Sequence, residues 1–411
     1  MTEVWALAAL WLGLALIATL LAIWLKIATA LSEIVVGMVA QLVIGTLIGS
    51  AVLGTGESWI KFLAGTGAIV LTFLAGAELD PVVFKAKWKE ATAVGLVGFF
   101  APFLGCTAVA YYVLGWDIRP SWLAGVALST TSVAVVYAVM LEFGLNKTDY
   151  GKTVLAACFV NDLGTVVALG LIFSPFTYRT LIFIVSGIMV FAVLPWLTPR
   201  FFRRYGGRPS ELEAKYLLLA LFGMGALAAW ADSEAVLPAY IIGMVLAGTV
   251  GRDHALVRRL RTLTFGMLTP FYFIRAGSFV SVPALLSGLG AFLALLLAKM
   301  ATKFVGVYPV TKIYKSPDRE AMYTTLLMST GLTFGSISAL FGLTHNIIDQ
   351  AQYSLLIVAV VASAVVPTLI ANAFFLPHHL IPRDQTVDPH VAGAEPNSGS
   401  LEQAKSPGGP L

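Results

Sequence analysis

Residue 162 is an aspartate in the middle of an apolar run, Ala-Cys-Phe-Val-Asn161-Asp162-Leu-Gly-Thr165. An ionised carboxylate at that depth in a membrane is costly, so an acid there is a functional hypothesis by default. A carboxyl taken out of water holds its proton more readily, and a proton and a metal cation can then compete for one group. Helical spacing puts Cys158, Asp162 and Thr165 on one face. The structural alternative is a carboxylate braced by neighbouring helices. Glu78, Asp80, Glu90 and Glu142 fall at the ends of apolar runs, so no other acid is read as lying deep in a helix. On the basic side, Lys299 and Lys303 stand one turn apart in a later run. Lys303 is deep enough to need a partner. Lys299 is equally deep, lines a cavity, or snorkels to an interface. Arg275, in Phe-Tyr-Phe-Ile-Arg275-Ala-Gly, comes late in its run and either reaches the outer face or lies near an ion path.

Two further runs are polar without charge. One holds Ser129-Thr130-Thr131-Ser132, the other Ser329-Thr330-Gly331-Leu332-Thr333-Phe334-Gly335-Ser336. Consecutive hydroxyls and glycines weaken a helix and can satisfy the backbone groups a break sets free. One such segment would be read as close helix packing through small residues. The two segments lie seven runs apart, an odd number, so their helices cross the membrane in opposite directions. That is the pattern of an inverted repeat whose two broken helices cross at the midplane beside the substrate. Thr131, with Thr130 and Ser132, then offers oxygens beside Asp162 to a hard cation, held transiently. Gly331, Thr333 and Gly335 are the candidates from the second break.

The elements that position these residues follow from composition. Only 12% of the 411 residues are charged and 58% are apolar, too little charge to cover a soluble protein of this length. About 20 apolar residues cross a bilayer core. Thirteen runs qualify: 4–25, 34–53, 59–77, 91–114, 120–141, 153–173, 180–199, 215–231, 235–250, 262–280, 284–309, 321–343 and 352–376. The first is too long for a signal's apolar core and has no basic run before it. With the N-terminus outside, alternation assigns twenty of the 26 Lys and Arg residues to the cytoplasm. Only Lys61, Arg119 and Arg179 fall in outer loops. The expected protein is therefore an all-α polytopic membrane protein of about 13 transmembrane helices, an inverted repeat with two crossed, broken helices. Residues 1–383 form the transmembrane domain, with a core of about 91–173 and 284–376 and the remaining helices as scaffold. Residues 384–411 are read as a disordered cytoplasmic tail. The expected location is the cell membrane, with lipid as the surroundings. Five histidines scattered in loops and tail form no metal cluster, and neither a nucleophile–base pair nor a nucleotide motif occurs. An enzyme is not expected, nor is a cofactor. The basic loops fit topology, so no nucleic-acid partner is expected.

These residues resemble a known family. The stretch Gly67-Ala68-Ile-Val-Leu-Thr-Phe-Leu-Ala-Gly76-Ala-Glu78, Thr131-Ser132-Val and above all Asn161-Asp162 are similar to the monovalent cation:proton antiporters of the bacterial sodium/proton type. Those are related to potassium-efflux antiporters and sodium/proton exchangers. The resemblance spans roughly residues 30–376. It implies that Asp162 binds cation and proton in turn, that Lys303 is the core's basic residue, and that the protein is a homodimer. It also implies exchange of Na⁺ (or K⁺ or Li⁺) for H⁺ by alternating access, with a role in pH homeostasis. Asn-Asp relatives are often electroneutral, and electroneutral exchange is expected here. Two departures stand out. Thr330-Gly331-Leu332-Thr333 replaces a Pro-Arg-Gly-Glu-like segment, and Arg275 has no place in the pattern. A K⁺/H⁺ antiporter is the nearest alternative. An ion channel needs repeated ligands along a pore, and an organic-anion transporter needs a cationic site without an acid. Asp162 disfavours both.

Overall fold

The computed structural model describes residues 2–381 apart from 26, 48–49, 78–80, 174–176, 208–209, 232, 234 and 252. The expectations for Glu78, Asp80, Lys26, Arg208, Arg252, Arg383, Lys405 and the 384–411 tail lie outside the described residues. Each of the thirteen apolar runs corresponds to a helical segment. They are α1 (Thr2–Leu25), α2 (Thr29–Leu47), α3 (Ser58–Ala77), α4 (Pro81–Ala108), α5a (Ile118–Ser129) with α5b (Val133–Glu142), α6 (Asp149–Phe173) and α7 (Tyr178–Tyr205). The rest are α8 (Leu212–Trp230), α9 (Val236–Leu246), α10 (His254–Leu263, continuing through Thr269–Ser278), α11 (Leu289–Ile313), α12a (Asp318–Met328) with α12b (Thr333–Thr344), and α13 (Gln350–Ile370). Among the described residues ten helical segments are long and apolar enough to cross a membrane, α5 and α12 each counting as one, while α2 and α9 are apolar but shorter. The chain is thus a multi-pass, almost wholly helical membrane protein.

Several helices begin earlier than hydropathy shows: α4 starts at Pro81 rather than 91, with non-helical backbone at Lys87 (φ −115°, ψ 21°) dividing its charged first turns from the apolar span, and α10 and α2 are instructive as well. Helix α10 starts at His254 rather than 262, with an amphipathic turn pair that exposes Arg258 and Arg259 and buries Leu256 and Leu260. Helix α2 starts at Thr29 rather than 34. Its first turns are too polar to register as apolar, yet Ser32 Oγ lies 2.8 Å from the carbonyls of both Ala18 and Thr29. The start of α2 is thereby tied to α1. Glu33 consequently lies inside a helix, 2% exposed. The expectation that Asp162 is the only deep acid is corrected by this residue.

Helices α4, α5, α6, α11, α12 and α13 pack on one another, and α2, α3, α9 and α10 form a second set of mutual contacts. In the second set backbones approach through glycine. A Cβ on Gly37 would strike the Ile274 carbonyl, and one on Gly277 the Ile34 carbonyl. Gly76 and Gly243 play the same part between α3 and α9. Small residues allow this approach where lipid offers no hydrophobic drive for association.

Both hydroxyl-rich segments are breaks. Helix α5a ends at Ser129, and Thr130 is extended at φ −62°, ψ 150°. Ser129 Oγ donates to the Val126 carbonyl at 2.8 Å, and Thr130 Oγ1 to that of Ala127 at 3.1 Å. Helix α12a ends the same way, with Ser329 Oγ on the Thr325 carbonyl and Thr330 Oγ1 on that of Leu327. The hydroxyls bond the last carbonyls of each half-helix, where the backbone ladder ends. The breaks also touch each other, since the Ser132 amide donates to the Thr330 carbonyl at 3.1 Å.

Candidate ion-binding site

Asp162 lies mid-way along α6 and is 1% exposed. Its carboxylate faces the backbone N–H of Thr131 in the α5 break. Oδ1 has no hydrogen-bond partner among the described residues. A buried carboxylate oxygen without a donor is an acceptor waiting for a ligand, whether proton or cation.

Lys303 is fully buried and enters from α11. Its Nζ donates to Thr131 Oγ1 at 2.9 Å, and that hydroxyl donates onward to the Met328 carbonyl at 2.8 Å. Met328 ends α12a, so the ammonium compensates the negative end of a half-helix through one hydroxyl. Thr131 meets Asp162 through its backbone N–H, and its hydroxyl oxygen is already in use. One lone pair remains for any further ligand.

Lys299 is also fully buried. Its Nζ donates to Ser363 Oγ on α13 at 3.0 Å. A Cβ on Gly331 would collide with this Nζ and come within 2.8 Å of Thr130 Oγ1. Glycine at 331 is what admits the lysine to the α12 break. Both lysines thus meet the crossing, one at each break.

Other expected residues are placed differently. Asn161 turns away from the break toward α4, its Nδ2 3.5 Å from the Gly95 carbonyl. Ser132 Oγ accepts the Val135 amide at 3.4 Å and caps α5b. Thr330 Oγ1 lies 3.4 Å from the Ser132 amide. Gly335 is a packing residue, since its absent Cβ would lie 2.9 Å from the Ala127 carbonyl. Thr333 sits at the first position of α12b and is buried. Thr165 bonds its own helix, at the Asn161 carbonyl, and Cys158 Sγ lies 3.6 Å from Met328 Sδ. Arg275 is not brought to the site. Its Nε donates to the Thr55 carbonyl at 3.0 Å and its guanidinium lies 5.0 Å from the Phe279 ring centre.

Tyr240 is a site neighbour that the sequence pattern alone does not mark. It reaches in from α9, fully buried, and donates to the Phe159 carbonyl of α6 at 3.0 Å. Its ring packs edge-on to Phe334 of α12b, centroids 5.5 Å apart. It links the two helix sets one turn from Asp162. The available signal was a phenol mid-way in an apolar run, since a buried Tyr hydroxyl usually finds a partner. Among the described residues no group of three or more His, Cys, Asp or Glu could hold a metal. The arrangement of one carboxylate, hydroxyls and backbone oxygens suits a weakly held hard cation rather than a resident transition metal.

The transmembrane sodium/hydrogen exchanger family model matches residues 12–376. A probable Na⁺/H⁺ antiporter of Methanocaldococcus jannaschii is 26% identical over 359 residues, covering 82% of this chain and 89% of the relative. A Na⁺/H⁺ antiporter of Enterococcus hirae is 25% identical over 354 residues, covering 82% and 91%. The solved structure of the sodium proton antiporter MjNhaP1 from M. jannaschii superposes with a TM-score of 0.65 at 16% identity, covering 93% of this chain and 98% of that one, and shows the same fold.

Proposed function

The chain belongs to the sodium/hydrogen exchanger family, a family of cation/proton antiporters, and on that premise we propose that it exchanges Na⁺ for H⁺ one for one by alternating access. The observation that carries this is Asp162: buried at the meeting of two broken helices, with one oxygen unpartnered among the described residues. One carboxyl holds either a proton or a cation. Thr131 Oγ1 and the freed carbonyls of the α5 break add oxygens around the ion. Na⁺ arriving at Thr131 displaces Lys303, whose ammonium now occupies that hydroxyl. Asn161 cannot titrate, so a single acid couples one H⁺ to one Na⁺. The set α4–α6 and α11–α13 is the moving core, and the α2, α3, α9 and α10 set belongs to the scaffold. Tyr240 and the glycine-lined crossings lie where the two meet or hold the scaffold together. Inverted relation of the two halves, a cytoplasmic C-terminus, an outer N-terminus and a homodimer complete the reading.

Proton flux in proteoliposomes, with Na⁺, K⁺ and Li⁺ added in turn, tests it. Na⁺ is expected to drive the largest proton movement, and Asp162→Asn to abolish it in a folded protein. Normal exchange by purified Asp162→Asn would sink the reading. Flux driven by K⁺ alone would replace Na⁺ with K⁺ and leave the mechanism intact.

A further inference from the structure

The two broken-helix units share a register. Helix α5a begins at Ile118 and α12a at Asp318, α5b at Val133 and α12b at Thr333. The helical runs of α4 and α11 end at Val113 and Ile313. Helix α6 begins at Asp149 and α13 at Gln350. A displacement of 200 residues, or 201 in the last helix, therefore maps one unit on the other. Ser129-Thr130 falls on Ser329-Thr330, Thr131 on Gly331, and Asp162 on Ser363. The α11 lysines 299 and 303 fall on Phe99 and Phe103, whose rings stack at 5.5 Å.

The chemistry at the paired positions is complementary. In the first unit the α6 position holds an acid with an oxygen unpartnered among the described residues, and the α4 positions hold aromatics. In the second unit the α13 position holds Ser363, and Lys299 Nζ sits on it at 3.0 Å. Ser363 Oγ lies 2.8 Å from the Val360 carbonyl and 3.4 Å from that of Gly331 in the break. Gly331, in the place of Thr131, has no side chain to block the Lys299 Nζ. Hydroxyl oxygen, break carbonyl and a fully buried ammonium are the parts of a cation site with its cation attached.

We propose that the second unit contains the counterpart of the first unit's ion site, formed by Ser363 and the α12 break, in which the Nζ of Lys299 takes the place of a cation. One half of the molecule holds the acid and takes its cation from solution; the other holds Lys299 Nζ in the cation's place and no acid. This rests on the reading of Asp162 as the transported-ion site. Lys299 is on this account a positioning residue. It holds the α12 break against α13, and that break carries the Thr330 carbonyl on which the Ser132 amide of the α5 break rests. An untethered ammonium of the right length must then replace it, whereas a residue that merely fills space has no such substitute.

Lys299→Ala removes three methylenes and the ammonium, the shape of n-propylammonium. The purified variant is compared with wild type by melting temperature in detergent and by Na⁺-driven exchange in proteoliposomes, with n-propylammonium or the neutral propan-1-ol added. The expected variant melts lower and has an apparent KM for Na⁺ raised by about tenfold or more, some 1.4 kcal/mol. Propylammonium raises the melting temperature and restores KM, propan-1-ol does neither, and Ser363→Ala in the same background removes the response. Wild-type Tm and KM in Lys299→Ala would overturn the proposal. So would a destabilised variant that the amine and the alcohol affect alike. Should Lys299→Ala fail to accumulate, Ser363→Ala and Ser363→Asp are read in the same melt. A fall for the first and a rise for the second is expected, and the reverse order overturns the proposal. The melt needs no transport, so failure of the Na⁺/H⁺ reading, seen as exchange surviving Asp162→Asn, is distinguishable from failure of the Lys299 site.

Discussion

Thr131→Val is the sharpest perturbation of the crossing, because valine keeps the shape of threonine and deletes one oxygen. In the structure that oxygen makes two bonds, accepting from Lys303 Nζ at 2.9 Å and donating to the Met328 carbonyl at 2.8 Å. A hydrogen bond to a charged group contributes about 1.5–3 kcal/mol and a neutral one about 1 kcal/mol. Thr131 is 1% exposed, so water cannot take over either role without opening the site. The expected loss of stability is therefore about 3 kcal/mol, a large share of the roughly 5–15 kcal/mol typical of folded domains. Thr131→Ser keeps both bonds and should melt close to wild type. On the transport side, valine removes one neutral ligand from the proposed ion shell. It also removes the hydroxyl on which Lys303 competes. The net effect is a rise in apparent KM for Na⁺ of about tenfold or less, since roughly 1 kcal/mol of ligand is lost. Melting in detergent and Na⁺ titration of proton flux measure the two effects separately. A lowered Tm with unchanged KM would place Thr131 outside the ion shell and leave it as the anchor of Lys303. Wild-type values of both would refute the reasoning from geometry altogether.

Reversal potential tests the stoichiometry. With the membrane voltage clamped, zero flux should fall where the Na⁺ and H⁺ gradients are equal, at every voltage. A balance point that moves with voltage rejects one-for-one exchange, and loss of that movement in Lys303→Arg would name Lys303 as a second proton carrier, because arginine does not release its proton. Gly277→Ala places a methyl against the Ile34 carbonyl, so α2 and α10 must separate. A fall in Tm, larger than for Gly290→Ala, which meets open space, is expected in a thermal melt. Arg275→Met loses the bond to the Thr55 carbonyl and the contact with Phe279, costing about 1–3 kcal/mol in a melt while leaving the Na⁺ KM unchanged. A changed KM would return Arg275 to the ion path.

The chain by itself determined which runs are helical, where two of them break, and one of the acids that bears the membrane's cost, Asp162, but not Glu33. Hydropathy over some 20 residues sets the first. The second follows from hydroxyls competing for backbone groups within a single turn, at Ser129-Thr130 and Ser329-Thr330. Asp162 is legible because charge deep in an apolar run is rarely accidental. All three signals act within one helix. Tertiary structure decided the partners. Lys303 meets Thr131 across 172 residues, Lys299 meets Ser363 across 64, and Arg275 leaves the site for Thr55 across 220. The polar turns of Thr29, Ser32 and Glu33 joined α2 because α1 offered the Ala18 carbonyl. Tyr240 acquired its role because α9 lies against α6. Long side chains in a low-dielectric interior go wherever an acceptor lies within reach, and that acceptor is supplied by whichever helix packs alongside, which local pattern does not encode.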